Sequence, residues 1–130
     1  MFSRVEQGLR AFCQAWNEGQ VSPAFRMAGM LRHKTINCRV QEGGEYVVRA
    51  SADQLSFEPG SDPAAHATLS MSEADWLGVL EGRWSVWSVQ LAGRCYAPLH
   101  EDALVRNFGL MVQSYALRKP GVSPAEPERS

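Results

Sequence analysis

The first hydrophobic positions of the chain recur at steps of three and four residues, as on one face of a helix. They are Phe2, Val5, Leu9, Phe12, Cys13 and Trp16. Gly19 follows this stripe and is typical of a helix end. Ser22 and Pro23 predict an N-cap and a first helical position, so a short second helix should run to about Met30.

In the middle of the chain the hydrophobic period becomes two, which predicts strands with one buried face. Residues 36–40 and 46–50 alternate in this way on either side of a Glu-Gly-Gly-Glu turn. This arrangement predicts a β-hairpin. Leu55 and Phe57 predict a third short strand, and residues 65–71 a fourth.

Two apolar helices are predicted after the fourth strand. Ser72 and Asp75 have the spacing of a capping box, so a helix should begin directly after Ser72 and end at Gly82. A second helix is predicted over 85–92, with Gly93 as its stop. The stretch 66–93 holds more large hydrophobic side chains than two helical faces need, and such a surplus is typical of a ligand or partner site.

The remaining segment predicts a fifth strand at 95–99. Pro98 cannot donate a hydrogen bond to a neighbouring strand, so this strand should lie at an edge of the sheet or end near Pro98. A last helix should span about 101–118, because its hydrophobic residues again recur at helical spacing. That stripe is Leu104, Phe108, Met111, Val112 and Tyr115. Residues 1–119 are therefore expected to form one domain, and 120–130 a disordered tail, since they carry no core-forming side chain.

Composition narrows the possible partners. The chain has 13 basic and 14 acidic side chains, with no cluster of Lys and Arg such as nucleic-acid binding needs. No apolar run is long enough to span a bilayer, and charged residues interrupt the N-terminal stretch where a secretory signal would be apolar. Three cysteines without a CxxC pair predict free thiols and a cytoplasmic location.

Candidate chemistry is sparse. His33, His66 and His100 have no metal-ligand spacing, and no nucleophile elbow or phosphate loop occurs. We therefore expect no metal, no cofactor and no catalytic residues, although the sequence leaves open whether the protein is an enzyme. Trp76 and Trp87, with Trp84 between them, are suited to a pocket or its mouth, since an indole ring tolerates both apolar and polar surroundings. The alternative is that they form core or a dimer contact.

The stretch 64–94 resembles the sterol carrier protein type 2 family, and with the strand order around it the resemblance covers about residues 34–117. The matching features are the sequence Ala-Thr-Leu-Ser-Met-Ser-Glu-Ala-Asp over 67–75, the apolar run Leu77–Leu80, and the eleven-residue step from Gly82 to Gly93. The family usually has an acidic residue where His66 stands. It also has Gly-Asp after the last strand, where this chain has Leu-His-Glu at 99–101.

The resemblance implies an α/β (α+β) fold, with a five-stranded, mainly antiparallel sheet covered by helices and an apolar tunnel between the layers. It also implies a lipid, fatty acyl or sterol-like ligand, bound for carriage or sequestration. The expected lining is Trp76, Leu80, Trp84, Trp87, Leu104, Phe108, Met111, Val112 and Tyr115. Arg83 or His100 is the candidate for holding a polar head.

Other interpretations remain open from the sequence. The same pocket could belong to an enzyme, or to an enzyme accessory that holds a hydrophobic biosynthetic intermediate. The apolar helices could instead form a protein-interaction or homodimer surface. Residues 11–19 are also similar to the opening helix of the nuclear-transport-factor-like cone, but that fold needs long bent strands where 101–118 predict a helix.

Overall fold

A computed structural model describes residues 3–19, 33–51, 54–95 and 102–118. Its elements are α1 (Arg4–Asn17), β1 (Thr35–Val40), β2 (Glu45–Ala50), β3 (Leu55–Pro59), β4 (Ala67–Met71), α2 (Glu73–Leu80), α3 (Val86–Leu91) and α4 (Asp102–Arg118). These are the elements that the hydrophobic periods predict. The predicted short helix at 22–30 and the tail at 120–130 lie outside the described residues, as does most of the predicted strand at 95–99.

The sheet has the strand order β3-β2-β1-β4, with two antiparallel pairs and one parallel pair. Cys38 in β1 lies between Tyr46 of β2 and Leu69 of β4, and β4 runs parallel to β1. The expectation of five mainly antiparallel strands is therefore corrected to a mixed sheet of four strands within the described part. Alternation along a strand shows which face is buried, but it does not specify the direction or the neighbour of that strand.

Helices α1, α2 and α4 bury their apolar faces in a shared core with the sheet. Phe12 on α1 is its aromatic centre, and its ring centroid lies 5.9 Å from that of Phe108 and 5.6 Å from that of Tyr115 on α4. Trp76 ties α2 to β1, because its buried Nε1 donates a hydrogen bond of 2.9 Å to the carbonyl oxygen of Arg39. The core therefore depends on the stripes that the sequence predicts for the first and last helices.

A close helix crossing holds α2 against α1. A Cβ atom placed on Gly8 of α1 would lie 2.8 Å from Cδ1 of Leu80 on α2, which is closer than a real contact allows. Glycine therefore lets the two helices approach. Gly82, with φ 81°, then turns the chain out of α2 towards α3.

Candidate functional site

Helix α3 is short, and its sequence explains both its capping and its orientation. Ser85 is the N-cap: its Oγ accepts a hydrogen bond of 3.1 Å from the backbone N–H of Ser88, and Oγ of Ser88 accepts one of 3.2 Å from Ser85 N–H. This reciprocal pair is a capping box. Val86 and Val89 face the core, so Trp87 is turned outwards and is 49% exposed.

The attachments of α3 to the rest of the molecule are few. Glycines with positive φ flank it on both sides: Gly82 at 81° and Gly93 at 76°. After the helix, Nε of Arg94 donates to Oδ2 of Asp75 over 3.1 Å. Asp75 is itself buried at the start of α2, where its backbone N–H donates to Oγ of Ser72. An ion pair and a capped helix end thus hold the chain after α3 in place.

A groove of about 280 Å³ lies between α3 and α4. It is lined by Ser85, Val86, Trp87, Arg106, Gly109, Leu110 and Gln113. The two helices meet at Gly109, where a Cβ atom would lie only 2.9 Å from Cβ of Val86. Cζ of Arg106 lies 5.5 Å from the centre of the Trp87 ring, which is a cation–π distance. The lining is therefore mainly apolar, with one cation and no carboxylate.

Two other cavities in the described part have a more polar character. One of about 220 Å³ lies between α1 and α2 and includes Arg4, Gln7 and Glu81 in its lining. The other, of about 540 Å³, lies at the β2–β3 side of the sheet and has His33 and Arg49 among a mostly polar lining. An apolar ligand fits the α3–α4 groove better than either of these, because burying an unpaired polar group is costly.

The structure divides the predicted lining residues into two sets. Six are buried in the core: Trp76, Leu80, Phe108, Met111, Val112 and Tyr115. Leu104 is partly buried against them. Trp84 and Trp87 are exposed on the surface. Among the described residues, the buried side chains of sheet and helices form one hydrophobic cluster, and the expected tunnel is not seen there.

Trp84 lies in a slot that α2 leaves open. A Cβ atom placed on Gly78 would lie 2.1 Å from Cε2 of Trp84, so the indole occupies the space of the missing side chain. Cζ of Arg83 lies 5.3 Å from the ring centre, which is a cation–π distance. The ring thus contacts both the helix at Gly78 and a guanidinium group while it remains 38% exposed. Arg83, the candidate for a polar head group, also forms an ion pair with Glu81.

Sequence reasoning did not single out Gly78, Arg106, Gly109 or Leu110. Two signals could have found them. The glycines interrupt apolar helical stripes, which indicates close approach of another group. Arg106 and Leu110 lie four residues apart, so they share a face of α4 beside the predicted core stripe.

Burial keeps the three thiols uncharged. It raises the pKa of Cys13 to about 12 and that of Cys38 well above its ordinary value, with a further contribution from neighbouring Cys13. Burial, and then the charge of Asp75, raise the pKa of Cys95 to about 11. All three are free cysteines, as the sequence predicts. A neutral thiol is a poor nucleophile, so these side chains suit packing better than catalysis.

Two further searches concern the described residues alone. They contain no group of three His, Cys, Asp or Glu side chains placed to hold a metal ion. None of their helices has both the length and the apolar character needed to cross a bilayer.

Helices that cover one mixed sheet, with two short helices between β4 and a long last helix, define the fold of the sterol carrier protein 2 domains. Solved structures confirm this likeness. A crystal structure of sterol carrier protein 2 aligns with a TM-score of 0.66 at 18% identity, over 93% of this chain and 100% of the other. The ubiquinone synthesis protein UbiJ-SCP2 aligns at 0.63 and 16%, over 93% and 99%.

A third similar structure is palmitated SCP2L2 from Aedes aegypti, with a TM-score of 0.60 and 14% identity over 83% of this chain and 93% of that one. By sequence, no protein-family model and no curated protein matches this chain. The resemblance of residues 64–94 to the sterol carrier protein type 2 family is therefore confirmed at the level of the fold.

Proposed function

We propose that this protein binds a hydrophobic small molecule, of the fatty acyl or sterol-like class, for carriage or sequestration. The observation that carries the proposal is the apolar α3–α4 groove, which Trp87 of α3 and Leu110 of α4 both line and in which Arg106 is the one cation among the described residues. Each methylene group transferred from water into such a site contributes about 0.8 kcal/mol. The solved structure of palmitated SCP2L2, which shares the fold, supports an acyl ligand.

The proposal gives α3 the role of a movable wall. Its buried apolar side chains are two valines, and glycines with positive φ lie four residues before its first residue and two residues after its last one. Displacement of α3 from Gly109 opens the groove towards the buried side chains of α4. Phe108, Met111 and Val112 then become ligand contacts, which gives the predicted lining residues their place in the proposal.

Carriage needs no catalytic group, since the ligand is bound by apolar contact and by a cation near its head. Arg106 lines the groove and Arg83 does not, so Arg106 is the better-placed candidate for holding that head. His100, the other candidate, lies outside the described residues. The cytoplasm is the compartment we propose, because free cysteines persist in a reducing environment.

A pair of matched variants tests the site. Leu110→Asp places a carboxylate in the groove, whereas Leu117→Asp changes a similarly exposed leucine of α4 outside it. We expect Leu110→Asp to weaken uptake of a fluorescent long-chain fatty acid at least about tenfold, and Leu117→Asp to change it little. Equal uptake by the two variants would place the ligand elsewhere. No uptake by the unaltered protein, together with no lipid in its native mass spectrum, would refute lipid binding.

A second candidate is an accessory role in lipid biosynthesis, in which the groove holds a hydrophobic intermediate for an enzyme. It is favoured by the likeness to UbiJ-SCP2, which is described as a ubiquinone synthesis protein. Mass spectrometry of the co-purified molecule separates the two candidates. A single hydrophobic intermediate supports the accessory role, whereas a mixture of cellular fatty acids supports general carriage.

A further inference from the structure

The cavity of about 220 Å³ lies where α1, α2 and α4 meet, and it shares no lining residue with the α3–α4 groove. We call it the three-helix cavity. It is lined by Arg4, Gln7, Gly8, Ala11, Leu77, Leu80, Glu81 and Tyr115. In the liquid, about seven water molecules occupy such a volume, which is room for one small organic molecule.

Helix α4 contributes the side chain of Tyr115 to the three-helix cavity. The residue is 7% exposed, and its ring centroid lies 5.6 Å from that of Phe12 in the core. Within the described part of the chain, no group forms a hydrogen bond with the Tyr115 hydroxyl. This hydroxyl is not among the fully buried polar atoms that lack a partner, so it reaches the open volume of the cavity. A buried ring therefore presents an available hydroxyl group to the cavity.

The carboxylate of Glu81, at the end of α2, has both of its oxygens engaged. Nη2 of Arg4 donates to Oε2 over 3.2 Å, and Nη1 of Arg83 donates to Oε1. A guanidinium group carries five N–H donors, so Arg4 has hydrogen-bonding capacity that Glu81 does not use. Burial raises the pKa of Tyr115, so its hydroxyl is protonated at neutral pH and is a further donor. The groups that remain available in the cavity thus suit a ligand with an acceptor oxygen.

The other lining residues favour an uncharged ligand. Apart from Gln7, they are Gly8, Ala11, Leu77 and Leu80. A carboxylate that entered would lose its hydration against this apolar surface and would approach Glu81, whereas an ammonium group would approach Arg4. A neutral molecule with an apolar body avoids both costs.

We propose that the three-helix cavity binds a small uncharged carbonyl compound, namely a ketone, ester or amide with an apolar body. Its carbonyl oxygen accepts a hydrogen bond from the Tyr115 hydroxyl, and its apolar body contacts Leu77 and Leu80. A hydrocarbon of the same shape would displace water from the hydroxyl without replacing the hydrogen bond, so it binds less tightly.

This site does not depend on the ligand proposed for the α3–α4 groove, and its variants are different. Ala11 is exposed on α1 and lines the three-helix cavity, so Ala11→Trp should fill the cavity. Ala103→Trp introduces the same ring at an exposed alanine of α4 outside the lining and is the matched control. Tyr115→Phe removes the hydroxyl and keeps the ring.

The test is an NMR titration of the ¹⁵N-labelled protein with acetophenone. Ethylbenzene, which lacks the carbonyl oxygen, and benzoate, which is charged, are the comparison compounds. We expect acetophenone to shift the amide signals of Gly8 and Leu80 and to bind about three- to tenfold more tightly than ethylbenzene. Tyr115→Phe should abolish that difference. Ala11→Trp should weaken acetophenone binding at least about tenfold, while Ala103→Trp should change it little.

Three results would overturn the carbonyl proposal. The first is that acetophenone shifts no amide of α1 or α2, or that ethylbenzene binds equally tightly. The second is tighter binding of benzoate, which would assign the cavity to an anion. The third is that Ala11→Trp and Ala103→Trp have the same effect. Circular dichroism shows whether each variant is folded, and the exposure of both alanines makes misfolding unexpected.

Fatty-acid uptake separates this proposal from the proposed function. Ala11 does not line the α3–α4 groove, so Ala11→Trp should take up fatty acid as the unaltered protein does. Loss of acetophenone binding with normal fatty-acid uptake would therefore identify the three-helix cavity as a second site. Loss of both in Ala11→Trp would contradict two independent sites.

Discussion

Gly78 lets a tryptophan side chain pack directly on a helix. The indole of Trp84 fills the space above this helical glycine, and the guanidinium of Arg83 lies 5.3 Å from the centre of the ring. A glycine inside a helix ordinarily costs about 1 kcal/mol relative to alanine. Gly78 is nevertheless suited to α2, because the Trp84 ring occupies the space that a side chain at this position would fill.

This contact gives a prediction with an internal control. Gly78→Ala should destabilise the protein by about 1–3 kcal/mol, because the new methyl group forces Trp84 out of its slot. In a Trp84→Ala background the same substitution should be neutral or stabilising, since only the helix propensity of alanine remains. Urea denaturation of the four proteins measures the coupling. Equal effects in both backgrounds would contradict the contact.

The buried thiols predict how stability depends on pH. In the unfolded chain a thiol ionises at about pH 9, whereas Cys13 in the folded protein ionises at about pH 12. Between these values the unfolded state binds fewer protons, so the free energy of unfolding falls as pH rises. Cys38 has a raised pKa from the same cause and adds to the loss.

Urea titrations at neutral pH and at about pH 10 should show this decrease in stability. A Cys38→Ala variant should show a shallower dependence on pH, whatever its stability at neutral pH. If the free energy of unfolding of that variant depended on pH as steeply as before, other groups would cause the loss of stability at high pH. Tyr115, whose pKa burial also raises, would then be the next side chain to replace.

Among the described elements, α3 has few buried side chains. Its two buried side chains are valines, and each contributes at most about 1.5–3 kcal/mol by burial. Other contacts of α3 and its flanks are the Arg94–Asp75 ion pair, the Trp87–Arg106 contact and the packing of Trp84 on Gly78. Elements with few buried contacts open without unfolding of the whole molecule.

Hydrogen exchange tests this local opening. Backbone amides of 86–92 should exchange faster than those of β1, and Arg94→Met should accelerate them further while β1 stays protected. Arg39→Met removes a surface pair with Glu45, at 3.8 Å, and should leave α3 unchanged. If Arg94→Met altered α3 and β1 equally, α3 would be part of the global folding unit.

At the scale of the whole molecule, ligand binding should appear as stability. A ligand that binds only the folded state adds about 2.7 kcal/mol when its concentration is a hundred times its Kd. Thermal denaturation with increasing long-chain fatty acid should therefore raise Tm progressively in the unaltered protein. The rise should be smaller in Leu110→Asp than in Leu117→Asp, and a Tm that fatty acid leaves unchanged would argue against the proposed function.

The sequence by itself determined the elements of this protein, because hydrophobic period, caps and glycine stops are local properties. Ser72 and Ser85 cap helices where the pattern predicts them, and Trp76, Phe108 and Tyr115 lie in the core. Periodicity thus predicted which stripes are apolar and, with the motif at 67–75, the fold to which they belong.

Only the tertiary structure decided how the elements meet. It set β4 parallel to β1, buried the apolar stripe of α4 in one core with the sheet, and turned Trp87 towards a groove with Arg106. These features depend on contacts between residues distant in sequence, and a hydrophobic pattern has the same form whether its neighbour is core, ligand or membrane. Whether an apolar stripe is buried in the core or lines an open groove is therefore decided only in the folded molecule.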